Sequence, residues 1–267
     1  FTSPGWLKEE TLRALGLTDG EVVTTPFTFA ATILAISLAG LTPKLADIDN
    51  ETLCLSPLEA EKAITPETCA ILPVHVFGRI CDVASFDSLS REYGLKVVYD
   101  GAHAFDRREE GLPVAQYGDA TAYSFHATKL FHTIEGGAVA IPRITQAHAN
   151  AQLLRNFGMR GESVLLPGFN AKLSEAHCAA GLSVLPLVVP AAGPSPRYIQ
   201  AYWADRRALR SSSPPTPSIS PCACAPPSPG TQYMPGFRAL ASARGATSSP
   251  PPAITPPTPG ASPASFP

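Results

Sequence analysis

Through the first 184 residues, apolar runs of strand length alternate with segments of helical period. The strand-like runs cover residues 21–25, 44–47, 70–74, 96–99, 120–124 and 137–141. Between them, residues 29–39, 57–64, 83–93 and 146–156 carry apolar positions at the three- and four-residue spacing of a helix face. A last helix is predicted over 173–184, where Ser174 followed by Glu175 supplies a capping pattern. Strands alternating with helices predict an α/β fold: a mixed, mostly parallel sheet flanked by helices. In such sheets ligands bind beyond the carboxyl ends of the strands. The segments Pro26 to Phe29, Pro73 to His75, Asp100 to His103 and Ser124 to Lys129 all fall at such ends.

Composition divides the chain in two. Of its 29 prolines, 20 lie at or after Pro186. Beyond Val184 there is no lysine and no glutamate; six arginines against Asp205 leave that part near +5, so the preceding residues carry about −7 of the total −2. Runs such as residues 211–217 and 250–259 cannot continue a helix or a central strand, because proline lacks the N–H and clashes with the preceding turn. Residues 186–267 are therefore expected to form a low-complexity, disordered tail, with 197–210 more naturally solvated coil than a basic helix. Five net charges spread over more than eighty residues make no nucleic-acid patch. The six cysteines (Cys54, Cys69, Cys81, Cys178, Cys222 and Cys224) show neither metal-ligand spacing nor a secreted framework. Free thiols, no signal-like start and no long apolar run predict a cytoplasmic protein without a membrane span.

The chemistry gathers around Lys129. A lysine in an apolar, aromatic setting is costly to keep charged; desolvation frees its amine as a nucleophile of the Schiff-base kind. An aspartate ending a hydrophobic strand, Asp100, is the partner that keeps a pyridinium nitrogen protonated, so the pair suggests pyridoxal phosphate.

Six ordered blocks carry a wider likeness: DGEVVTTPFTFAAT at 19–32, AILPVHVFG at 70–78, VYDGAHA at 98–104, SFHATK at 124–129, EGGA at 135–138 and GFNAKLSE at 168–175. With them the chain resembles the DegT/DnrJ/StrS family of pyridoxal-phosphate-dependent sugar aminotransferases. The resemblance implies the large domain of a fold-type I transferase over 1–185, a homodimer, and transfer of an amino group from an amino acid such as glutamate to a nucleotide-linked keto sugar. It gives Lys129 the cofactor and the proton transfer, Asp100 the ring nitrogen, and His103 and Phe29 the two ring faces. Ser124 falls to the cofactor phosphate, and Lys172, with Asn170, to the neighbouring subunit's phosphate. His75 is expected at the substrate entrance, while His126 and His132 take core or channel positions without a role. Family dehydratases carry histidine in place of the lysine, so Lys129 points away from them.

Two departures accompany the resemblance. The family's glycine-threonine phosphate loop is missing before the first large helix, and the match stops near residue 185, where the family continues into a smaller domain. The compositional break predicts a shifted reading frame or a truncated gene near that point. An inactive fragment is accordingly the alternative to a working aminotransferase.

Overall fold

The computed structural model describes residues 4–143 and 146–188. The expected tail from 189 onward, with residues 197–210, Cys222 and Cys224, lies outside the described residues. Six strands form the main sheet: β1 (Glu21–Thr24), β2 (Thr42–Leu45), β3 (Thr68–Ile71), β4 (Lys96–Asp100), β7 (Ala120–Ser124) and β8 (Gly137–Ala140). Two short hairpins, β5 (Arg108–Glu109) with β6 (Leu112–Pro113) and β9 (Met159–Arg160) with β10 (Ser163–Val164), lie outside it. The strand order is β2-β1-β3-β4-β7-β8, and every pairing is parallel except β7 with β8. This is the mixed, mostly parallel sheet that the alternation predicts.

Among the described residues six α-helices accompany the strands: α1 (Pro4–Ala14), α2 (Ala30–Leu38), α3 (Pro57–Ala63), α4 (Val83–Tyr93), α5 (Gln146–Leu154) and α6 (Glu175–Val188). The two-residue alternation of the strands sends side chains into two cores. On one face Val22, Ala70, Leu72 and Val98 pack with Leu12 of α1 and Ile36 of α2. On the other, Val23, Ile71, Val97 and Tyr99 meet Ala60 of α3 and Phe86 and Leu89 of α4. Helices thus cover both faces, and the strand ends are left to build a site.

Helix α4 begins and ends where its sequence says. Asp82 caps it by accepting from the Ser85 N–H at 3.0 Å, and Gly94 closes it in the left-handed region at φ 69°. Asp82→Ala is expected to remove about 1 kcal/mol of stability, read as a lower urea midpoint with an unchanged slope.

Three differences from the sequence reading stand out. Helix α1 was not anticipated at all, because its centre reads Lys8-Glu9-Glu10-Thr11. Those four residues are nevertheless buried. Strand β2 lies two residues earlier than expected, in a partly exposed edge strand that includes Pro43, where the apolar pattern is weak. Helix α6 starts at Glu175, with Ser174 Oγ accepting from the His177 N–H at 3.4 Å, and runs through Pro186 to Val188. A proline in the last turn removes one carbonyl's partner only, and Val188 is buried beyond it. The helix therefore extends past the boundary drawn at 185. Cys54, Cys69, Cys81 and Cys178 are free thiols, as expected. Among the described residues no helix is long and apolar enough to cross a membrane.

Candidate active site

A cavity of about 470 Å³ opens at the carboxyl ends of β1, β3, β4 and β7. That size lies within the roughly 300–1,000 Å³ range of small-molecule sites. The chain after β1 brings Thr28, Phe29 and Ala31; the chain after β3 brings Val74. Asp100 ends β4 and is followed by Ala102 and His103, while Ser124 ends β7 and is followed by His126, Thr128 and Lys129. Helix α1 adds Lys8. Five of the six residues assigned from the sequence (Phe29, Asp100, His103, Ser124 and Lys129) therefore meet around one space.

Asp100 forms the floor, with its side chain only 3% exposed. Its Oδ2 accepts from the Thr32 hydroxyl at 2.7 Å and from Lys8 Nζ at 2.8 Å; its Oδ1 accepts from the Ala102 N–H at 3.1 Å. Burial alone would raise this carboxyl's pKa, but the Lys8 charge and the three hydrogen bonds outweigh it and hold it below the usual aspartate value. The chain leaves the floor through Gly101, where a Cβ would stand 2.7 Å from Thr121 Cγ2. Only glycine lets β4 turn into the loop against β7 at that point.

Lys129 lies in the loop between β7 and β8. Its N–H bonds the His126 carbonyl at 2.9 Å, and the loop is pinned by Phe125 N–H to the Gly136 carbonyl and Thr133 N–H to the Phe125 carbonyl. Phe125 and Phe131 of this loop form a ring cluster with Phe105, with ring centres 4.6–6.0 Å apart. Desolvation lowers the Lys129 pKa below that of an ordinary lysine; Asp100 opposes the shift and Lys8 adds to it. His103 is likewise lowered, first by desolvation and then by the Lys129 charge, so its ring is neutral at pH 7. It lies parallel to Phe77, with ring centres 6.1 Å apart. Phe29 is 78% exposed and faces the cavity from its open side. Ser124 Oγ accepts weakly from the His126 N–H at 3.4 Å and lines the cavity.

Other assignments fall elsewhere. Lys172 does not line this cavity: its Nζ bonds Asn156 Oδ1 at 2.9 Å and lies 4.9 Å from the centre of the Phe157 ring. Asn170 forms a bridge with Asn156 nearby. His75 is not at an entrance. It is fully buried, stacked on Tyr99 at 4.8 Å, with Nδ1 accepting from the Cys81 N–H, and burial pushes its pKa down to about 4. A turn with Phe77 and Gly78 at positive φ follows it, and the strand-end pattern alone does not reveal that His75 is buried. His126 does line the cavity, and His132 keeps a buried Nδ1 without a hydrogen-bond partner among the described residues. Sequence reasoning missed Thr32, which sits inside a conspicuous apolar block, and Lys8, which sits on a helix it did not expect.

The donor set fits pyridoxal phosphate in kind: an amine of lowered pKa, a buried carboxylate, a hydroxyl at a strand end and flanking aromatic rings share one cavity. The fit has one conflict, since an ammonium already stands on the carboxylate.

A model of the DegT/DnrJ/EryC1/StrS aminotransferase family matches residues 9–189. A dTDP-4-amino-4,6-dideoxy-D-glucose transaminase from Shigella dysenteriae is 44% identical over 172 residues, covering 64% of this chain and 46% of that protein. Among solved structures, DesI in the presence of its TDP-sugar product superposes with a TM-score of 0.66 at 38% identity, over 71% of this chain and 48% of the other. NtdA from Bacillus subtilis with bound cofactor PMP gives 0.61 at 31% identity, over 68% and 42%. The chain spans about half the length of the curated relatives it matches.

Proposed function

The chain belongs to the DegT/DnrJ/EryC1/StrS aminotransferase family, and we propose that it serves as a pyridoxal-phosphate-dependent transferase of amino groups to a nucleotide-linked keto sugar. The observation that carries this reading is the meeting of Lys129 and Asp100 across one cavity whose other walls match the family's blocks. The transaminase and TDP-sugar relatives favour a dTDP-linked 4-keto-6-deoxyhexose as acceptor; glutamate as donor rests on the sequence resemblance alone. When bound, the cofactor supplies an aldehyde for an amine to attack and a ring that accepts electron density.

The residues of this chain supply the rest. Lys129, whose amine gives up its proton more readily than an ordinary lysine's, would be the nucleophile that holds the cofactor and, once freed, a base that moves a proton at Nζ. Asp100 holds a negative charge at the floor, where a protonated ring nitrogen finds its counter-ion. His103 and Phe29 would flank the ring, and Ser124 would donate to the phosphate. Lys172, outside this cavity, reaches the phosphate of a second copy in the homodimer that the resemblance implies.

The test is direct. Pyridoxal phosphate is added to the purified chain, borohydride fixes any covalent adduct, and peptide mapping locates it. The adduct is expected on Lys129 and is expected to vanish in Lys129→Ala. Equal labelling of Lys129→Ala, or no specific adduct in the parent chain, would reject the reading. The second outcome would favour an inactive fragment, a reading that draws on the Lys8 ammonium standing at Asp100.

A further inference from the structure

Lys8 has no part in the chemistry assigned to the site, yet it stands on the carboxylate at the cavity floor. Its Nζ lies 2.8 Å from Asp100 Oδ2, with the two side chains 7% and 3% exposed, and it contributes to the cavity wall. Thr32 also donates to Oδ2, so both lone-pair directions of that oxygen are taken; Ala102 N–H occupies one of the two on Oδ1. A protonated ring nitrogen arriving at this carboxylate would meet a second positive charge a few ångströms away, in surroundings poor in water. Thr32 and Ala102 can remain, being neutral donors. Lys8 cannot remain without opposing the ring's proton.

We propose that Lys8 is an internal competitor for the cofactor ring, a positioning residue whose ammonium holds Asp100 until a protonated pyridine nitrogen displaces it. This rests on the pyridoxal phosphate reading above. Buried Asp100 is thereby kept paired in both conditions, first by a side chain of the same protein and then by the ring. The flexible four-carbon stem of lysine, rooted in α1, allows the exchange without moving the sheet. The ion pair consequently sets an affinity threshold: the cofactor binds only as strongly as its contacts exceed those that Lys8 gives up.

Two measurements on the full chain test this. In the first, the dissociation constant of pyridoxal phosphate is compared by titration for the parent, Lys8→Met and Lys8→Gln. Either variant is expected to bind at least tenfold more tightly, because the ring nitrogen then meets an unclaimed carboxylate. The second measurement needs no variant. Amines are acetylated briefly with and without pyridoxal phosphate, and modification at Lys8 is read by mass spectrometry. Lys8 is expected to be protected alone and to become reactive when the cofactor is present. Equal or weaker binding by the variants, or equal protection of Lys8 in both conditions, would overturn the proposal. If an adduct forms on Lys129 while Lys8 shows neither effect, only this inference fails. If no adduct forms on Lys129 in any variant, the functional reading fails and this inference with it.

Discussion

Asp100→Asn is expected to lower the stability of the chain by about 3–5 kcal/mol, because it leaves the Lys8 ammonium buried without its counter-charge. The amide keeps one acceptor oxygen: set in place of Oδ2 it still accepts from Lys8 and Thr32 but turns its NH₂ on the Ala102 N–H, and set in place of Oδ1 it keeps Ala102 but turns its NH₂ on Lys8. What disappears is the charge, and a buried charge is the costly part. For a domain of this length, such a loss corresponds to a melting temperature lower by roughly 6–20 °C. Double substitution, Lys8→Met with Asp100→Asn, should recover most of the loss, since removing both partners leaves no orphaned ion. The parent also has a pH signature. The Asp100 pKa is depressed below its unfolded value of 3.8, so its contribution is fully present above that value and is lost as pH falls through the folded pKa. Asp100→Asn should lack this acid limb. Urea titrations at pH 7 and near pH 3 would measure both effects. Equal midpoints for the parent and Asp100→Asn at pH 7 would mean that the buried ion pair does not exist in solution.

The second large effect has the opposite sign. Glu10, on α1 immediately after Lys8 and Glu9, is 1% exposed, and neither carboxylate oxygen has a hydrogen-bond partner among the described residues. Burial, followed by the charge of Glu9, raises its pKa from 4.5 to about 7. The native state therefore holds a proton that the unfolded chain releases. Stability attributable to this group falls as pH rises from 4.5 through 7, and above 7 the whole penalty is present. Discounted for partial solvent screening, the penalty is roughly 2–3 kcal/mol. Glu10→Leu should raise the melting temperature substantially at pH 8 and much less at pH 5, because the parent is mostly protonated there. Thermal melts at the two pH values decide it. If the gain were the same at both, the carboxylate would not be the source.

Both effects involve a buried charge on α1, Lys8 in the first and Glu10 in the second, and α1 is where the sequence was least legible. A helix whose middle reads Lys-Glu-Glu-Thr carries the pattern of a solvated face, yet packing between α2, α5 and the strands β7 and β8 buries it. Nothing local announces such burial, because it is imposed by the neighbouring layers. Lys8 was hidden for that reason. By contrast, α4 and β7 appear at the residues their patterns indicate: Asp82 and Gly94 punctuate the helix, and β7 follows Gly118 and Asp119 with an apolar run. Lys129, Asp100 and Ser124 were legible because chemistry at strand ends coincides with unusual residue types there. His75 shares that location but is buried, and the left-handed backbone at Phe77 that follows it is a tertiary choice. The relation of Lys172 to a neighbouring subunit comes from resemblance alone; within this chain it serves Asn156 and Phe157.

The order of strands across the sheet bears on how the site comes into being. Its four contributing strands stand side by side as β1-β3-β4-β7, and each junction is parallel, so each is closed by a long crossover rather than a tight turn. Such junctions lose chain entropy before their contacts compensate for it, which makes assembly slow and late. During synthesis no partial chain that lacks β7 can hold the pocket, however well its earlier helices have formed. The first appearance of cofactor affinity in a refolding or translation time course would therefore mark the docking of β7 beside β4, and would serve as a clock for closure of the sheet.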